Sequence, residues 1–230
     1  MNDGLAFRGF SADGLRFLGE LAAHNDRGWF AANKQRYERG VAQPMRAFVA
    51  DATRALARAG VPIGGDEKRS IFRIYRDVRF ARDKSPYRTH AACYLSYDGG
   101  RATQGGLYLH VEPGRSYLSV PFYLVPAPML RRWRASMRDD PQRFVRVVRA
   151  LAKKGLAIDG PDGSEDALRR MPRGFGDMED AELAPYFLLR SFCVGRELTR
   201  AEVTSPRLLQ VAVRLVRDAK PLLDYGWSMD

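Results

Sequence analysis

The sequence predicts an α+β protein in which helices come first, an antiparallel sheet follows and helices close the chain. Apolar residues recur at helical spacing through residues 1–62, alternate with a period of two through 70–125, and return to helical spacing over 126–230. The connections between the candidate strands are short, so we expect an antiparallel β-meander of four or five strands. No linker or internal repeat divides the sequence, which predicts a single domain over residues 1–230.

Three helices are expected before the first strand. Ser11 can cap the first helix and Asn25 or Asp26 can cap the second, because a short polar side chain accepts hydrogen bonds from free N–H groups of the first turn. A third helix runs from about Pro44 and ends at Gly60, since glycine adopts the left-handed turn after a helix with the least strain.

From residue 70 the apolar period becomes two, which predicts a first strand over residues 70–80. Alternate side chains of a strand point to opposite faces, so one face is expected to be apolar and the other polar. The apolar positions are Phe72, Ile74, Val78 and Phe80, and the polar positions are Arg73, Tyr75, Asp77 and Arg79.

Further strands are expected in the stretches that follow. Alternating apolar residues predict strands near 92–97, within 106–114 and within 116–125, separated by turns that contain glycine or proline. Residues 188–198 form one more candidate strand. These segments complete the predicted sheet.

Helical spacing returns in the last part of the chain. Asp140 followed by Pro141 is typical of a helix start, and this helix is expected to end at Gly155. The stretch 157–184 is rich in Gly, Pro and Asp, which predicts an irregular segment with a short helical piece around 167–171. A last helix closes the chain.

The composition is typical of a folded globular protein, with 45% hydrophobic, 11% aromatic and 28% charged residues and a net charge of +11. It excludes a disordered or collagen-like chain. The two cysteines, Cys93 and Cys193, are too few for a disulfide framework or a zinc ribbon, which fits a reducing compartment. No apolar run approaches the roughly 18 residues of a membrane helix, so we expect a soluble cytoplasmic protein that does not enter a membrane.

The most polar part of the predicted sheet region is the Arg-rich segment, residues 72–90 (FRIYRDVRFARDKSPYRTH). It contains five Arg, one Lys, two Asp, two Tyr and one His. A guanidinium group is planar and donates paired hydrogen bonds, which suits phosphate or carboxylate, so the segment predicts a pocket for an anion. The alternative interpretation is a ladder of cross-strand ion pairs that faces water or joins the sheet to a covering helix.

Arg76 is unusual because the alternation places it on the apolar face of the predicted strand. An unpaired buried guanidinium group would cost several kcal/mol, so it requires a partner. The partner is an acidic residue of the opening helices, such as Glu20, Asp26 or Glu38, or it is a bound anion. A β-bulge that turns the side chain to the other face is a third alternative.

The second half of the Arg-rich segment is expected to be an ordered loop, because Pro86 cannot donate a ladder hydrogen bond. Loops held by a rigid sheet often carry binding and catalytic groups. His90 could act as a general acid or base if Asp77 or Asp83 orients its ring. The alternative is a structural hydrogen-bonding role for this histidine.

The sequence contains no other recognised catalytic or cofactor signature. His24, His90 and His110 are the only histidines, and they have no recognised metal-ligand spacing, so no metal site and no cofactor is predicted. The spacing gives no reason to expect these histidines to converge with Asp77 or Glu112. Signatures of a nucleophile or of a phosphate-binding loop are also absent from the sequence.

A second basic segment covers residues 131–154, where nine basic residues and two aspartates give a net charge of +7. Such a surface could bind the phosphate backbone of a nucleic acid. The alternative is the ordinary solvated face of an amphipathic helix, since the basic residues lie opposite apolar ones.

Four stretches of the sequence resemble one known family. They are FLGELAAHNDRGWFAANKQRYE, FRIYRDVRFARDKSPYRTH, LYLHVEPG and LRRMPRGF. Over nearly its whole length the chain resembles the bacterial and fungal conserved hypothetical proteins grouped as domain of unknown function 2461. The resemblance implies a cytosolic, single-domain protein and no particular activity. The motif positions are Asn25, Trp29, Phe30, Lys34, Tyr37, Arg73, Tyr75, Arg76, Asp77, Arg79, Phe80, Asp83, Lys84, Pro86, Tyr87 and His90.

The motif residues of the second helix allow two interpretations. Trp29, Asn33 and Tyr37 fall on one helical stripe. This stripe either docks the helix on the sheet, or it forms with the predicted Arg strand the two walls of a crevice in which an aromatic ring stacks on a ligand.

We therefore expect an α+β protein that binds an anionic small molecule, phosphorylated or carboxylated, whether or not it is an enzyme. The candidate ligand-binding residues are Arg73, Arg76, Arg79, Lys84, Trp29, Lys34 and Tyr37. The candidate proton-transfer or orienting groups are Asp77, Asp83, Tyr87 and His90. The alternatives are a nucleic-acid-binding module that uses residues 131–154, and a structural or interaction protein whose ion pairs serve only the fold.

Overall fold

A computed structural model of the chain describes residues 6–100, 102–159, 166–176, 178 and 180–229. Helices precede and follow a central antiparallel sheet, which confirms the predicted α+β class. The strands are β1 (Ala91–Ser96), β2 (Gly106–Val111), β3 (Ser116–Phe122) and β4 (Phe192–Leu198). They lie in the order β1–β2–β3–β4, so each strand pairs with the next strand along the chain, as in a meander.

The helices fall into three groups along the chain. Those before the sheet are α1 (Ala12–Ala23), α2 (Arg27–Tyr37) and α3 (Gln43–Arg58), with a π-helix at Glu38–Ala42 between α2 and α3. Those between β3 and β4 are α4 (Ala127–Asp139), α5 (Pro141–Ala152) and α6 (Ala184–Leu188). Those after β4 are α7 (Arg200–Val203), α8 (Arg207–Asp218) and α9 (Lys220–Trp227).

The helix starts use the capping side chains that the sequence predicts. Ser11 Oγ accepts a hydrogen bond of 3.0 Å from a backbone N–H of the first turn of α1, and Asp26 Oδ1 accepts one of 2.9 Å in α2. Asp140 caps α5 in the same way. Asn25 is not the cap of α2, because its side chain exchanges hydrogen bonds of 2.9 and 3.0 Å with the backbone of Tyr87.

The predicted strand at residues 70–80 is wrong. The described residues of this stretch form isolated antiparallel bridges at Ile71 and Tyr75 and no continuous ladder. Phe80, expected on the apolar face, is 95% exposed. The physical reason is that charged residues dominate after Tyr75 and pair with each other in water, while Pro86 removes a donor from the facing stretch.

The sheet also extends beyond the predicted range 70–125. Its fourth strand, β4, comes from the candidate stretch 188–198, as predicted. Residues 167–171, expected to include a helical piece, contain no helix. The predicted irregular stretch 157–184 lies partly outside the described residues.

The chain divides into two compact units. The first unit comprises Met1–Thr103, Leu107–Leu118 and Arg196–Arg214, and the second comprises Gln104–Gly106, Ser119–Gly195 and Leu215–Asp230. The assignment of one domain to the whole chain stays a prediction.

Each unit has its own buried apolar residues. In the first unit Phe17 of α1 and Phe48 of α3 are fully buried, and α3 contacts β1. In the second unit the buried indole of Trp133 stacks on Phe192, with ring centroids 4.1 Å apart, and meets Tyr225 edge-on at 5.0 Å. Aromatic rings supply much of the buried area in such packing, so each unit has a core that supports the polar residues around it.

Candidate functional site

The Arg-rich segment lies in the first unit, and two of its arginines pair with carboxylates of the same segment. Arg76 forms an ion pair with Asp83, and Arg79 donates to both carboxylate oxygens of Asp77 at 3.0 and 2.7 Å. Hydrogen bonds from the Ser85 hydroxyl and from Arg76 hold the pKa of Asp83 well below its usual range. The hydrogen bond from Arg79 likewise lowers the pKa of Asp77. Both carboxylates are therefore ionised partners of arginine at neutral pH.

The expectation that Arg76 pairs with an acidic residue of the opening helices is wrong. Glu20 and Glu38 pair with other arginines at 2.6 and 3.3 Å, and Asp26 caps α2. Because residues 76–84 form a loop, Arg76 reaches Asp83 directly. This arrangement corresponds to the alternative interpretation, in which the charges of the segment serve the fold.

The remaining cations of the Arg-rich segment differ in whether they have hydrogen-bond or ion-pair partners. Lys84 Nζ donates to the carbonyl oxygens of Val78 and Arg79 at 3.0 and 3.4 Å, so it ties the loop together. Arg73 and Arg82 are exposed, and neither forms an ion pair with a described residue. Arg79 is also exposed, but its charge is paired, so Arg73 and Arg82 are the exposed arginines of the segment that no described carboxylate neutralises.

Tyr87 is a packing residue in this structure. It is buried, its ring stacks on Phe30 with centroids 4.1 Å apart, and Asn25 holds its backbone. Burial raises the pKa of Tyr87 above its usual value. The phenol therefore remains protonated at neutral pH, which does not favour the proton-transfer role expected for it.

The aromatic stripe of α2 docks this helix on α1. The ring centroid of Phe17 lies 5.4 Å from that of Trp29 and 5.9 Å from that of Tyr37. Burial raises the pKa of Tyr37 to about 12. Lys34 lies on the exposed face of α2. In these contacts Trp29 and Tyr37 pack against a helix, α1, whereas the docking interpretation had placed them against the sheet.

His90 lies with residues of β2 rather than with Asp77 or Asp83. It directly precedes β1, and the neighbouring strand β2 contributes His110 and leads into Glu112. His110 Nε2 lies 3.2 Å from Glu112 Oε2, and its Nδ1 lies 3.3 Å from the Tyr108 hydroxyl. The ring of His110 stacks between those of His90 and Tyr117, at centroid distances of 4.4 and 4.8 Å. We call His90, His110 and Glu112 the histidine cluster.

The histidine cluster has the geometry of potential metal ligands. One ligand atom from each residue lies within 4.8 Å of the other two, and no second group of this kind occurs in the part of the chain that the structure describes. Burial and the nearby His110 lower the pKa of His90, so its imidazole is neutral at pH 7. The Thr89 hydroxyl donates to Glu112 Oε1 at 3.3 Å and orients that carboxylate.

The histidine cluster was not predicted, although the sequence contains one signal for it. His110 and Glu112 are two residues apart at the end of a strand, so their side chains lie on one face of the sheet. The convergence with His90 depends on how β1 pairs with β2. That pairing could not be obtained from the spacing along the chain.

A cavity of about 800 Å³ lies beside Glu112 in the first unit. It is bounded by one face of α1, by the turn after β2 and by the start of α7. Its apolar lining includes Leu15, Leu198 and Val203, and its charged lining comprises Arg16, Glu20, Glu112 and Arg200. Arg16 pairs with Asp13 and Glu20, whereas Arg200 is exposed and has no ion-pair partner among the described residues. Arg200 is therefore the cavity's free cation in the described structure.

The basic segment 131–154 lies in the second unit, and most of its charges are engaged there. Arg134 is buried and donates to the carbonyl oxygens of Phe187 and Leu189 at 3.0 and 3.1 Å. Arg132 and Arg143 donate to oxygens near the end of the chain. The ion pairs of the segment are Arg138 with Asp139, Arg149 with Glu182 and Lys154 with Asp218. The exposed residues without a described partner are Arg131, Arg146 and Lys153.

In the described parts of the structure, no helix has both the length and the apolar character that crossing a bilayer requires.

Comparisons with known proteins identify the family of the chain. No curated protein and no solved structure matches the chain. The model of the family described as Conserved hypothetical protein (DUF2461) matches residues 13–225. This match covers nearly the whole chain, which therefore belongs to that family, domain of unknown function 2461.

Proposed function

We propose that the protein binds an anionic small molecule that also carries an apolar part, and that it does so in the cavity beside Glu112. The observation that carries the proposal is an 800 Å³ cavity with apolar walls and a guanidinium group, that of Arg200, whose charge no described residue neutralises. Small-molecule sites are typically mostly apolar hollows of about 300–1,000 Å³ with a few polar groups that orient the ligand.

The lining of the cavity favours a carboxylated or phosphorylated ligand. Leu15, Leu198 and Val203 would contact the apolar part of the ligand. The guanidinium group of Arg200 can donate two parallel hydrogen bonds to a carboxylate or phosphate. The ion pair of Arg16 with Glu20 leaves that side of the cavity close to neutral, so a single anionic group is favoured.

The Arg-rich segment is the second candidate place for the anion. The observation that favours it is the exposure of Arg73 and Arg82, which lack ion-pair partners among the described residues. Against it stand the internal pairs of Arg76 and Arg79, which leave the loop with fewer free donors. A small anion such as inorganic phosphate is the ligand that two exposed guanidinium groups could hold.

Isothermal titration calorimetry with two probes tests the proposal and distinguishes the two places. Hexanoate carries an apolar chain and one carboxylate, and inorganic phosphate carries charge alone. We expect hexanoate to bind the wild-type protein, and Arg200→Ala to weaken it about 10-fold or more through loss of charge-assisted hydrogen bonds. Arg146→Ala, in the second unit, is the control and is expected to leave hexanoate affinity unchanged.

The other outcomes would place anion binding at a different site or show that the protein does not bind an anion. Phosphate binding that Arg73→Ala or Arg82→Ala abolishes, and Arg200→Ala does not affect, would place the ligand on the Arg-rich segment. Absence of binding for both probes at about 10 mM would overturn the proposal, because a Kd above that concentration corresponds to a binding free energy weaker than about −2.7 kcal/mol. The protein would then be one whose ion pairs serve only the fold.

We also propose a cytoplasmic location. Cys93 and Cys193 are free thiols rather than a disulfide, which suits a reducing compartment. Fractionation of cells that express the full chain is expected to place it with cytoplasmic proteins, and recovery from an exported fraction would contradict this.

A further inference from the structure

We infer that His90, His110 and Glu112 form a binding site for one divalent transition-metal ion, with one imidazole nitrogen from each histidine and one carboxylate oxygen as ligands. Each residue offers such an atom within 4.8 Å of the other two. The inference goes beyond anion binding and does not depend on it.

The ligand types select the class of metal. Two imidazoles and one carboxylate bind Zn²⁺ in several catalytic sites, and the same set with open positions binds Fe²⁺ in non-haem iron proteins. Mg²⁺ and Ca²⁺ prefer oxygen ligands, so a site with two nitrogen ligands disfavours them. Three protein ligands leave at least one coordination position open, which is typical of reactive rather than purely structural sites.

The distances are close to those that coordination requires. Ligand atoms bound to Zn²⁺ at 2.0–2.2 Å in a tetrahedral site lie about 3.3 Å apart. His110 Nε2 and Glu112 Oε2 are already 3.2 Å apart. The third ligand atom lies within 4.8 Å of the other two, so side-chain rotations that move it by about 1.5 Å would bring it into the same range.

Neighbouring polar groups support the ligands in the way that outer-shell residues do. The Tyr108 hydroxyl lies 3.3 Å from His110 Nδ1 and would accept a hydrogen bond from the Nδ1–H group when Nε2 binds metal. Thr89 donates to the other oxygen of Glu112 and leaves Oε2 facing His110.

Charge indicates what would fill the open position. Two neutral imidazoles and one carboxylate leave a divalent ion with a net positive charge, and Arg88 lies close enough to His90 to add to it. Glu112 also lines the 800 Å³ cavity, so the open position lies near that space. An anionic group of a small molecule is therefore the expected additional ligand.

Titration with Zn²⁺ and Co²⁺ tests the site without any organic ligand. We expect the metal-free protein to bind one Zn²⁺ per chain in isothermal titration calorimetry, and one Co²⁺ with visible absorption bands that report coordination by nitrogen and oxygen. His90→Ala and His110→Ala are each expected to lower the affinity at least 100-fold, above the roughly 10- to 100-fold cost of losing an outer-shell partner.

Two further variants serve as control and second test. His24→Ala removes the remaining histidine, which stacks on Trp29 at 5.8 Å, and is expected to leave metal affinity unchanged. Glu112→Gln keeps the size of the side chain and is expected to weaken binding by about 100-fold even if an alanine variant fails to fold. Circular dichroism spectra and melting temperatures identify any variant that is unfolded.

The inference is overturned if the wild-type protein binds neither metal at 1:1 stoichiometry, or if Glu112→Gln and a folded histidine variant bind as well as the wild type. Hexanoate titrations in the presence of EDTA measure anion binding separately. A failure of metal binding and a failure of anion binding can therefore be distinguished.

Discussion

Asp83 decides whether Arg76 is available to an outside anion. Its carboxylate accepts hydrogen bonds from the Ser85 hydroxyl and N–H at 2.6 and 2.9 Å and forms the ion pair with Arg76. The sequence indicated that Arg76 needs a partner, and the nature of the partner depends on the loop of residues 76–84, which brings Asp83 to it. One side chain therefore separates an anion site from an internal ion pair.

Acidification is expected to remove the stabilisation that Asp83 provides. The folded protein holds the pKa of Asp83 below its ordinary value, so the stabilisation is fully present above about pH 4 and is lost as pH falls toward the folded value. Melting temperatures of Asp83→Asn and the wild type should differ at pH 7, and the difference should shrink as pH falls from about 4 to 2.

Glu67→Gln is the matched control for this pH effect. Glu67 is exposed and has no ion-pair partner among the described residues. Its variant should follow the wild type at every pH. A difference in melting temperature between Asp83→Asn and the wild type that does not change with pH would contradict the prediction.

At the scale of elements, α1 crosses the π-helix at a point where the two backbones touch. A Cβ atom added to Gly14 would lie 2.1 Å from the carbonyl oxygen of Gly40, and one added to Gly40 would lie 2.8 Å from Gly14 Cα. The sequence predicted separate helices here, because hydrophobic spacing does not reveal an extra residue in a helical turn. The close contact explains why small residues are needed at both positions.

Gly14→Ala is expected to lower the free energy of unfolding by about 2 kcal/mol or more, as overpacking against rigid backbone does. Gly19→Ala on the same helix is the control, since its Cβ would meet Pro113 at an ordinary 3.8 Å. That change should stabilise the helix by roughly 0.5–1 kcal/mol. Urea unfolding of both variants checks the prediction, and equal effects would show that the crossing tolerates a methyl group.

A buried arginine also connects α4 to α6. Arg134 of α4 is 7% exposed and donates to two carbonyl oxygens next to α6. Arg134→Ala would leave these acceptors without a donor and is expected to cost about 2–4 kcal/mol of unfolding free energy. Arg131→Ala, on the exposed face of the same helix, should change it by less than about 0.5 kcal/mol. Urea unfolding that gave similar values for both would contradict a bonding role for Arg134.

At the scale of the whole molecule, the net charge of +11 predicts a general attraction to polyanions. The basic segment 131–154 contributes much of this charge, yet the fold engages most of its side chains in the second unit. A specific nucleic-acid surface needs free cations in a defined arrangement. Three exposed residues without described partners are few for that purpose.

Binding of single- and double-stranded DNA, measured by fluorescence anisotropy, is therefore expected to be weak at about 50 mM salt and lost near 200 mM. The variant with Arg131, Arg146 and Lys153 changed to Gln should reduce it only modestly. Tight binding that persists at about 200 mM salt and disappears in this variant would favour the nucleic-acid-binding alternative.

Local patterns were sufficient for much of the fold. The α+β order, the caps at Ser11, Asp26 and Asp140 and the candidate strand that became β4 follow from side chains adjacent in sequence or from a repeating period. Apolar residues alternate in the stretch 70–80 as in a strand, yet this stretch forms only isolated bridges and no continuous hydrogen-bonded ladder. The charged residues after Tyr75 and the missing N–H of Pro86 disfavour the ladder. The period of apolar residues indicates whether a segment favours a helix or a strand. It does not indicate which other strand that segment pairs with.

Contacts between distant residues required the folded chain. His90 and His110 are twenty residues apart, and they meet because β1 and β2 pair in one particular register. The cavity likewise joins α1 to residues near Arg200, far along the chain. Composition and spacing could therefore establish the fold class and an excess of arginine. Which charges neutralise each other, and which ligand atoms converge, was decided by strand register and loop closure, since these bring together groups that the linear order separates.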